Sequence, residues 1–550
     1  MQRFKLIKRL LGLVKSFKTV IILAVINGII GNLCSIIIST IASFTLIKFL
    51  GYPISLSYVT LFALMIFLGC FRGVLRYFEQ YSNHYIAFKI LGHIRHIIFE
   101  KLRILGVAKI ETKEKGALTN QITSDVETLE VFYAHTISPC LIALFVNGGL
   151  FLYISLFINL YLGLIILAFY LIVGVILPVI FYRVNQKQGL EYRNELAAFN
   201  AYYLDSIAGR KDIRYTNSAS SFINEIKAKT SDLHHFTRRN IKLVANTRGI
   251  VNAFIILGSI VILMVSSILI QNNLINPLLV IVALITYLSS FGPVNALAAL
   301  PSNLNQTFAS AKRLFAILDE KPLVKENKND NTFDFEKLEC NNVSFAYDNR
   351  LILNNLSLTV NKQEFIGIVG PSGIGKSTLL KLIMNFYPYQ GEIKFNGIEL
   401  KDIDHNSLYQ NISMFSQHTY LFNDTIRNNL LIANNNATDD EIKEALRKVS
   451  LLDFVNNLEK GLDTVIKEDS TNISLGEKQR LGLARVFLRK PKLLLLDEPT
   501  SNIDSLNELL ILKSLKDHKN EMTIIMISHK KSTLSIADKI YTFKDGMLSD

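Results

Sequence analysis

The chain contains no tryptophan, only 4 cysteines and 11 prolines in 550 residues, and no acidic residue before Glu79. Without tryptophan, any interfacial aromatic belt must rest on the 21 tyrosines and 34 phenylalanines. Cys34, Cys70, Cys140 and Cys340 are scattered with no metal-like spacing, and three of them fall in apolar stretches, where a buried small hydrophobe is expected. The early lack of acid matters most. Arg3, Lys5, Lys8, Arg9, Lys15 and Lys18 precede a charge-free apolar run from Thr19 to about Ile47, the pattern of a membrane span whose basic flank stays inside. That run is too long for a signal-peptide core, lacks a small-residue cleavage site and is followed by further spans, so it is expected to be retained.

What is present points the same way. Half of the residues are apolar and the mean hydropathy is +0.29, which at this length calls for membrane spans and more than one domain. The net charge of +13 is unevenly placed: residues 1–320 carry 30 basic and 15 acidic side chains (+15), and residues 321–550 carry 29 and 31 (−2). The excess basic charge therefore belongs to the apolar half, as positive-inside anchoring and not as a nucleic-acid footprint.

A second apolar run covers about 55–70 and closes on Arg72 and Arg76, which puts the loop Gly51–Pro53 outside. Residues 131–182 carry no Lys, Arg, Asp or Glu; at 52 residues they fit two spans joined by a turn near Asn159. Residues 249–311 repeat the pattern with a turn at Gln271, Asn272 and Asn273. Six spans with both termini cytoplasmic are expected. The two polar stretches of about 60 residues between spans two and three and between four and five are too long for bare loops and predict helices continuing past the bilayer. Their turns, Lys113–Thr119 and Ala208–Asn217, are candidate tips against the C-terminal half of the chain. Pro139, Pro178, Pro277 and Pro293 lie within the apolar runs, as pathway-lining or ordinary kinks.

Residues 321–332 form a polar break, after which short β-branched runs alternate with helices, as in an α/β nucleotide-binding domain. The expected division is a cytoplasmic segment 1–18, a membrane domain 19–320, a linker 321–332 and an ATPase domain 333–550. The sharpest signal is GPSGIGKST, comprising Gly370, Pro371, Ser372, Gly373, Ile374, Gly375, Lys376, Ser377 and Thr378. It follows the apolar run FIGIV and precedes LLKLIM, so the phosphate-loop pattern sits in its strand, loop, helix context. Its glycines let backbone N–H groups wrap phosphates, Lys376 reaches the β and γ oxygens, and the Ser377 hydroxyl can hold magnesium. The run LLLLDE ends in Asp497, placed to hold magnesium through water, and Glu498, placed to polarise the attacking water.

These motifs and their order resemble the type 1 ATP-binding-cassette (ABC) exporters that carry six spans and one cassette on a single polypeptide. The resemblance covers nearly the whole chain. It implies a six-span α-helical membrane domain with long cytoplasmic extensions fused to an α/β phosphate-loop ATPase. It further implies ATP and Mg2+ as cofactors, a bacterial cell-membrane location and a second ABC half as partner. Tyr347 in VSFAYDN matches the adenine-stacking aromatic. Gln417 in MFSQHTYLF matches the glutamine that joins the magnesium site and links nucleotide state to the membrane domain. His529 in MISHK matches the switch histidine on the γ-phosphate. Ser501 and Asp504 match dimer-interface positions, and Glu468 the acid that senses the intracellular loops. The signature, usually LSGGQ, reads ISLGE: Ser474 and Gly476 are retained to present a hydroxyl and N–H groups to a partner-held phosphate, while Leu475 replaces the first glycine. The expected consequence is a weakened composite site on the partner, with the site on Lys376 and Glu498 left equipped.

One phosphate loop makes the chain a half-transporter, with a heterodimer favoured over a homodimer. With about 18 residues ahead of span one, a peptidase domain of the bacteriocin-exporter kind is not expected. The segments RGVLRYFEQYSNHYIAFKILGHIRHIIFEKLRIL, from Arg72, and ITSDVETLEVFYAHTISPCLIAL, from Ile122, resemble the CydC-type subunit of the heterodimeric exporter tied to cytochrome bd assembly. That resemblance implies a small-molecule cargo of the thiol type (cysteine, glutathione) or a haem link; peptide, multidrug or lipid export is the alternative. It also implies a haem contact at His84, against the plain reading of a hydrogen-bonded structural histidine. His135 stands near a second apolar stretch. Spans short of carboxylates give the cargo no obvious charge handle.

Overall fold

The computed structural model describes residues 2–111, 113, 115–298, 300–325, 327, 331–348, 350–467 and 472–549. The chain divides into two compact units, Met1–Lys101 with Glu114–Glu320, and Leu102–Lys113 with Lys321–Asp550.

The first unit is all helix. Six helical stretches are long and apolar enough to cross a membrane: Phe4–Phe49, Tyr58–Glu111, Leu118–Phe157, Leu160–Phe181, Ala219–Gln271 and Pro277–Leu297. The turn between the third and fourth falls at Asn159, whose extended backbone and side chain cap the next helix by accepting from the Tyr161 N–H. The turn after the fifth uses Asn273 at φ 56°, a left-handed position that asparagine tolerates. Helices Tyr58–Glu111, interrupted only at Gly106, and Ala219–Gln271 extend over 54 and 53 residues, far beyond one bilayer thickness, so the polar stretches are continuous with the spans.

Of these prolines, Pro277 opens a helix after the extended cap Asn276, where the missing N–H costs nothing, whereas Pro139 and Pro178 lie within continuous helical stretches. Ahead of Pro139 and Pro178 lie single π-helical turns, Tyr133–Ile137 and Ile172–Ile176, which absorb the register change. The cysteine expectation fails at two sites: Cys70 and Cys140 are exposed, and only Cys34 and Cys340 are buried. A charge-free helix that faces lipid has no need to bury its apolar residues in protein.

Helix contacts depend on small residues and a few buried polar groups. A Cβ on Gly28 would lie 2.2 Å from Ile142 Cδ1, and one on Gly258 would lie 1.9 Å from the Tyr287 hydroxyl. Asp125, buried, accepts from Ser310 Oγ at 2.8 Å and from Arg313 Nε at 2.7 Å. Glu79, also buried, accepts from Arg76 at 2.6 Å.

The second unit holds two sheets. Four antiparallel strands run in the order β2-β1-β4-β5 (β1 Lys337–Tyr347, β2 Arg350–Asn361, β4 Gln390–Phe395, β5 Ile398–Glu399). Six strands run β10-β9-β3-β8-β7-β6: β3 Phe365–Val369, β6 Ile412–Phe415, β7 Leu493–Asp497, β8 Thr523–Ser528, β9 Lys539–Lys544 and β10 Met547–Ser549. All pairings in the larger sheet are parallel except β9 with β10. Strands β7 and β8 are buried along their whole length, which explains their unbroken apolar sequences.

The polar break falls inside this unit and is tied to it. Asn327 Nδ2 donates to the Lys401 carbonyl at 2.8 Å and Asn331 Nδ2 to that of Asp402 at 3.1 Å, and Phe335 just beyond is fully buried. The segment Leu102–Lys113 also belongs to this unit. It contains a break in the long helix at Gly106, whose φ of 74° only glycine adopts freely. Ala108 joins the buried core around β1 and β3, and the Glu111 carboxylate accepts from Lys381 Nζ at 2.7 Å. Of the first expected tip, Lys113–Thr119, residue 114 lies outside the described residues; the second forms a short helix, Arg210–Tyr215.

Candidate nucleotide site and the family of the chain

The phosphate loop leaves β3 at Val369 and enters a helix at Lys376. Its glycines are required by space and by backbone. Gly373 and Gly375 have φ of 74° and 119°, and a Cβ on Gly375 would lie 2.5 Å from Ile352 Cγ2. Pro371 and Ser372 are exposed, Ile374 packs partly against the core, and Thr378 is buried on the following helix. Lys376 is buried and folds back over the loop, donating to the Gly370 and Pro371 carbonyls at 2.8 and 2.7 Å. Burial pulls its ammonium below the usual lysine range, partly opposed by Glu498 and Asp497.

Because β7 lies next but one to β3, the ends of both strands converge on one edge of the sheet. The Ser377 hydroxyl donates to Asp497 Oδ1 at 2.7 Å, so both groups expected at a magnesium ion already face each other. Burial pushes the Asp497 carboxyl up, with the Ser377 hydrogen bond acting against it. The next residue, Glu498, has φ of 47°, a left-handed backbone uncommon outside glycine and asparagine. This twist turns its carboxylate toward the loop: Oε1 is 3.9 Å from Lys376 Nζ, and Oε2 accepts from Ser501 Oγ at 2.8 Å. His529 follows β8, the strand between β3 and β7, and its Nδ1 is 3.4 Å from Glu498 Oε2.

Lys376, Ser377, Asp497, Glu498 and His529 are thus brought together on the C-terminal ends of parallel strands, where open α/β sheets bind ligands. The glycine cradle, a buried ammonium and a hydroxyl–carboxylate pair suit a nucleotide triphosphate. Gln417 lies two residues past β6, beside β7, and its carbonyl accepts from Gln479 Nε2 at 2.6 Å. Among the described residues its side chain makes no hydrogen bond to Ser377 or Asp497. Tyr347 ends β1 with its ring edge-on to Phe345 and Tyr387, at 4.8 and 5.4 Å between centroids.

Ser474 caps the helix Leu475–Arg489 in a capping box with Glu477. Gly476 is fixed by packing inside the chain, since a Cβ there would lie 2.2 Å from Asn507 Cγ. Leu475, 46% exposed, stands free on the first turn of that helix. Asp504 caps the helix Ser505–Asp517 and accepts from Asn507 Nδ2 at 2.6 Å, while Ser501 is tied to Glu498; their interface roles stem from the resemblance. Glu468 lies outside the described residues. Sequence reasoning passed over Gln479, whose amide joins Thr419 and Gln417, and Glu508, which accepts from Thr500 and Thr533. Their only signal is a polar residue on a helix face that is otherwise buried.

Residues 18–292 match the ABC transporter transmembrane region and residues 353–501 match the ABC transporter family. The chain belongs to the ABC transporter family, as an exporter half with fused membrane and nucleotide-binding domains and an ATPase coupled to transport. It is 40% identical to a probable ABC transporter ATP-binding/permease protein of Haemophilus influenzae, over 99% of both chains. It is 29% identical to the glutathione/L-cysteine transport system protein CydC of the same organism, covering 87% of this chain and 84% of that one. The ATP-dependent lipid A-core flippase of Desulfotalea psychrophila also matches at 29%, over 87% of this chain and 84% of its own. A bacterial Atm1-family ABC exporter solved with ATP bound superposes with a TM-score of 0.82 at 22% identity, over 98% of this chain and 95% of that one. ABC exporters act as dimers in a bilayer, and this chain is a multi-pass membrane protein of that kind.

Proposed function

We propose that the chain pairs with a second, different ABC half to export a small molecule at the expense of ATP. The observation that carries this reading is the pairing of a complete acid–base set around Glu498 with a leucine on the first turn of the signature helix. In this reading Tyr347 stacks on adenine, Lys376 and the loop N–H groups hold the phosphates, Glu498 takes the proton of the attacking water, and His529 contacts the γ-phosphate. Gln417 joins Ser377 and Asp497 around magnesium, which supplies neutralising charge on the β and γ oxygens when bound. Ser474 and Gly476 face the partner's nucleotide, where Leu475 puts bulk in place of a bare backbone. The weaker of the two composite sites is then the one on the partner.

The assigned cargo is of the thiol or haem-linked type, supported by the CydC likeness over 87% of the chain. Lipid export is the second reading, because the lipid A-core flippase matches to the same extent. The basic flank ahead of the first span supports cytoplasmic termini. Residues 19–320, 321–332 and 333–550 serve as membrane domain, linker and cassette.

The test is purification of the tagged chain from its native membrane, with subunit masses and ATPase rate read on one sample, alone and with glutathione, cysteine, hemin or lipid A-core. A second ABC half at equal ratio, a rate raised by thiols or hemin, and a several-fold gain from Leu475→Gly are expected. A fully active homodimer stimulated by lipid alone would overturn both heterodimer and cargo.

A further inference from the structure

His84, Glu130 and His135 face one another in the membrane unit, with one ligand atom from each lying within 4.8 Å of the other two. Among the described residues no other trio of His, Cys, Asp or Glu is so placed. His84 projects from the helix Tyr58–Glu111; the other two bracket the start of the third apolar segment. We propose that these three side chains form a binding site for one divalent transition-metal ion of the zinc class, separate from the nucleotide site.

The geometry is close to a ligand set already. His84 Nδ1 and Glu130 Oε1 are 3.0 Å apart, and metal–ligand bonds of about 2.0–2.1 Å at tetrahedral angles require about 3.3 Å between neighbouring ligand atoms. From at most 4.8 Å, the His135 nitrogen has about 1.5 Å to close, within reach of a rotation of this exposed ring. The two imidazoles stand edge-on at 5.3 Å between centroids, and Phe88 lies under the His84 ring at 5.9 Å.

Local backbone explains how Glu130 and His135 come to share a side. In a regular α-helix, residues five apart point about 140° from each other. Here His135 sits in the π-helical turn Tyr133–Ile137, whose wider winding cuts that separation. The Thr136 hydroxyl donates to the Val131 carbonyl, again five residues back, and satisfies an acceptor in the widened turn. Single π-turns of this sort recur at functional sites.

Two neutral imidazoles and one carboxylate match zinc and its neighbours in the first transition row, and not magnesium or calcium, which want oxygen alone. His84 and Glu130 side chains are 37% and 30% exposed, so a fourth position stays open to water or a small anion.

The test uses the full chain in its complex, carrying a non-histidine tag, stripped with chelator and reloaded with zinc chloride. About one zinc per chain should survive gel filtration, and cobalt(II) in its place should give the visible bands of a tetrahedral site. His135→Ala and Glu130→Gln should each weaken zinc retention at least about tenfold. Zinc should raise the Tm of the native chain and not that of either variant, a readout that separates lost ligation from lost folding. Equal zinc retention by a His84→Ala/His135→Ala double variant would overturn the site. So would failure to retain zinc by a chain that binds hemin with a His84-dependent Soret band.

Discussion

The two units dispose of the same apolar residue types in opposite ways. In the membrane unit only 11% of the apolar window of Tyr58–Glu111 is buried within protein, and side chains such as Phe67, Phe157 and Leu263 point outward. In the cassette the strands β7 and β8 are buried at every position. Among the described residues each unit buries few carboxylates, and against different partners: the membrane unit sets Glu79 and Asp125 against Arg76 and Arg313, whereas the cassette sets Asp497 against the Ser377 hydroxyl, with Glu498 next to it near Lys376. Apolar surface thus faces lipid in one unit and forms a core in the other, and a buried carboxylate meets a guanidinium in one and the phosphate-loop serine in the other.

The largest effect expected from breaking this contrast is on chemistry. Glu498→Gln keeps shape and hydrogen bonding to Ser501 and removes the base, and should cut phosphate release by about 10²–10⁴-fold in the purified transporter. A rate within a factor of two of the native one would remove Glu498 from the reaction. Next, an aspartate at exposed Leu263 should cost about 2.5–3.5 kcal/mol of membrane insertion, read as loss of inserted protein. The same change at Leu509, 64% exposed on the cassette, should stay within about 0.5 kcal/mol. Equal effects at the two positions would erase the distinction between the surfaces.

A smaller effect tests packing at the signature. Gly476→Ala should cost about 1–2 kcal/mol in chemical unfolding of the cassette, and Asn507→Ala in the same chain should recover most of it. The mildest is electrostatic. Burial raises the Asp497 carboxyl, so its neutral form is favoured on folding; that contribution is whole below the ordinary carboxylate range and fades as pH climbs through the raised value. Asp497→Asn should therefore unfold at a higher temperature than the native protein at pH 7 without nucleotide, converge with it in acid, and lose ATPase activity. A variant less stable at pH 7 would reverse the assigned sign.

Legibility in the sequence followed the physics of each part. The six apolar helices could be read because lipid imposes length and excludes charge, and turns at Asn159 and Asn273 marked their ends. The phosphate loop, Asp497 and Glu498 were readable because phosphate chemistry fixes both residue type and spacing. The exposure of Cys70 and Cys140 was not, since an apolar run does not say whether lipid or protein covers it. Nor was the docking of Glu111 on Lys381, a contact 270 positions apart with no local pattern. The company kept by His84 escaped notice for the same reason: Glu130 and His135 share a side only through a wide turn that composition does not announce.

The left-handed backbone at Glu498 has a consequence for how such chains age. An L-residue with a long side chain pays roughly 1–2 kcal/mol to stand there, a cost that glycine avoids and asparagine or aspartate softens. Stability alone would therefore erode glutamate from this position over generations, toward Gly, Asn or Asp. In any half released from the duty to split ATP, that is the direction in which drift should run.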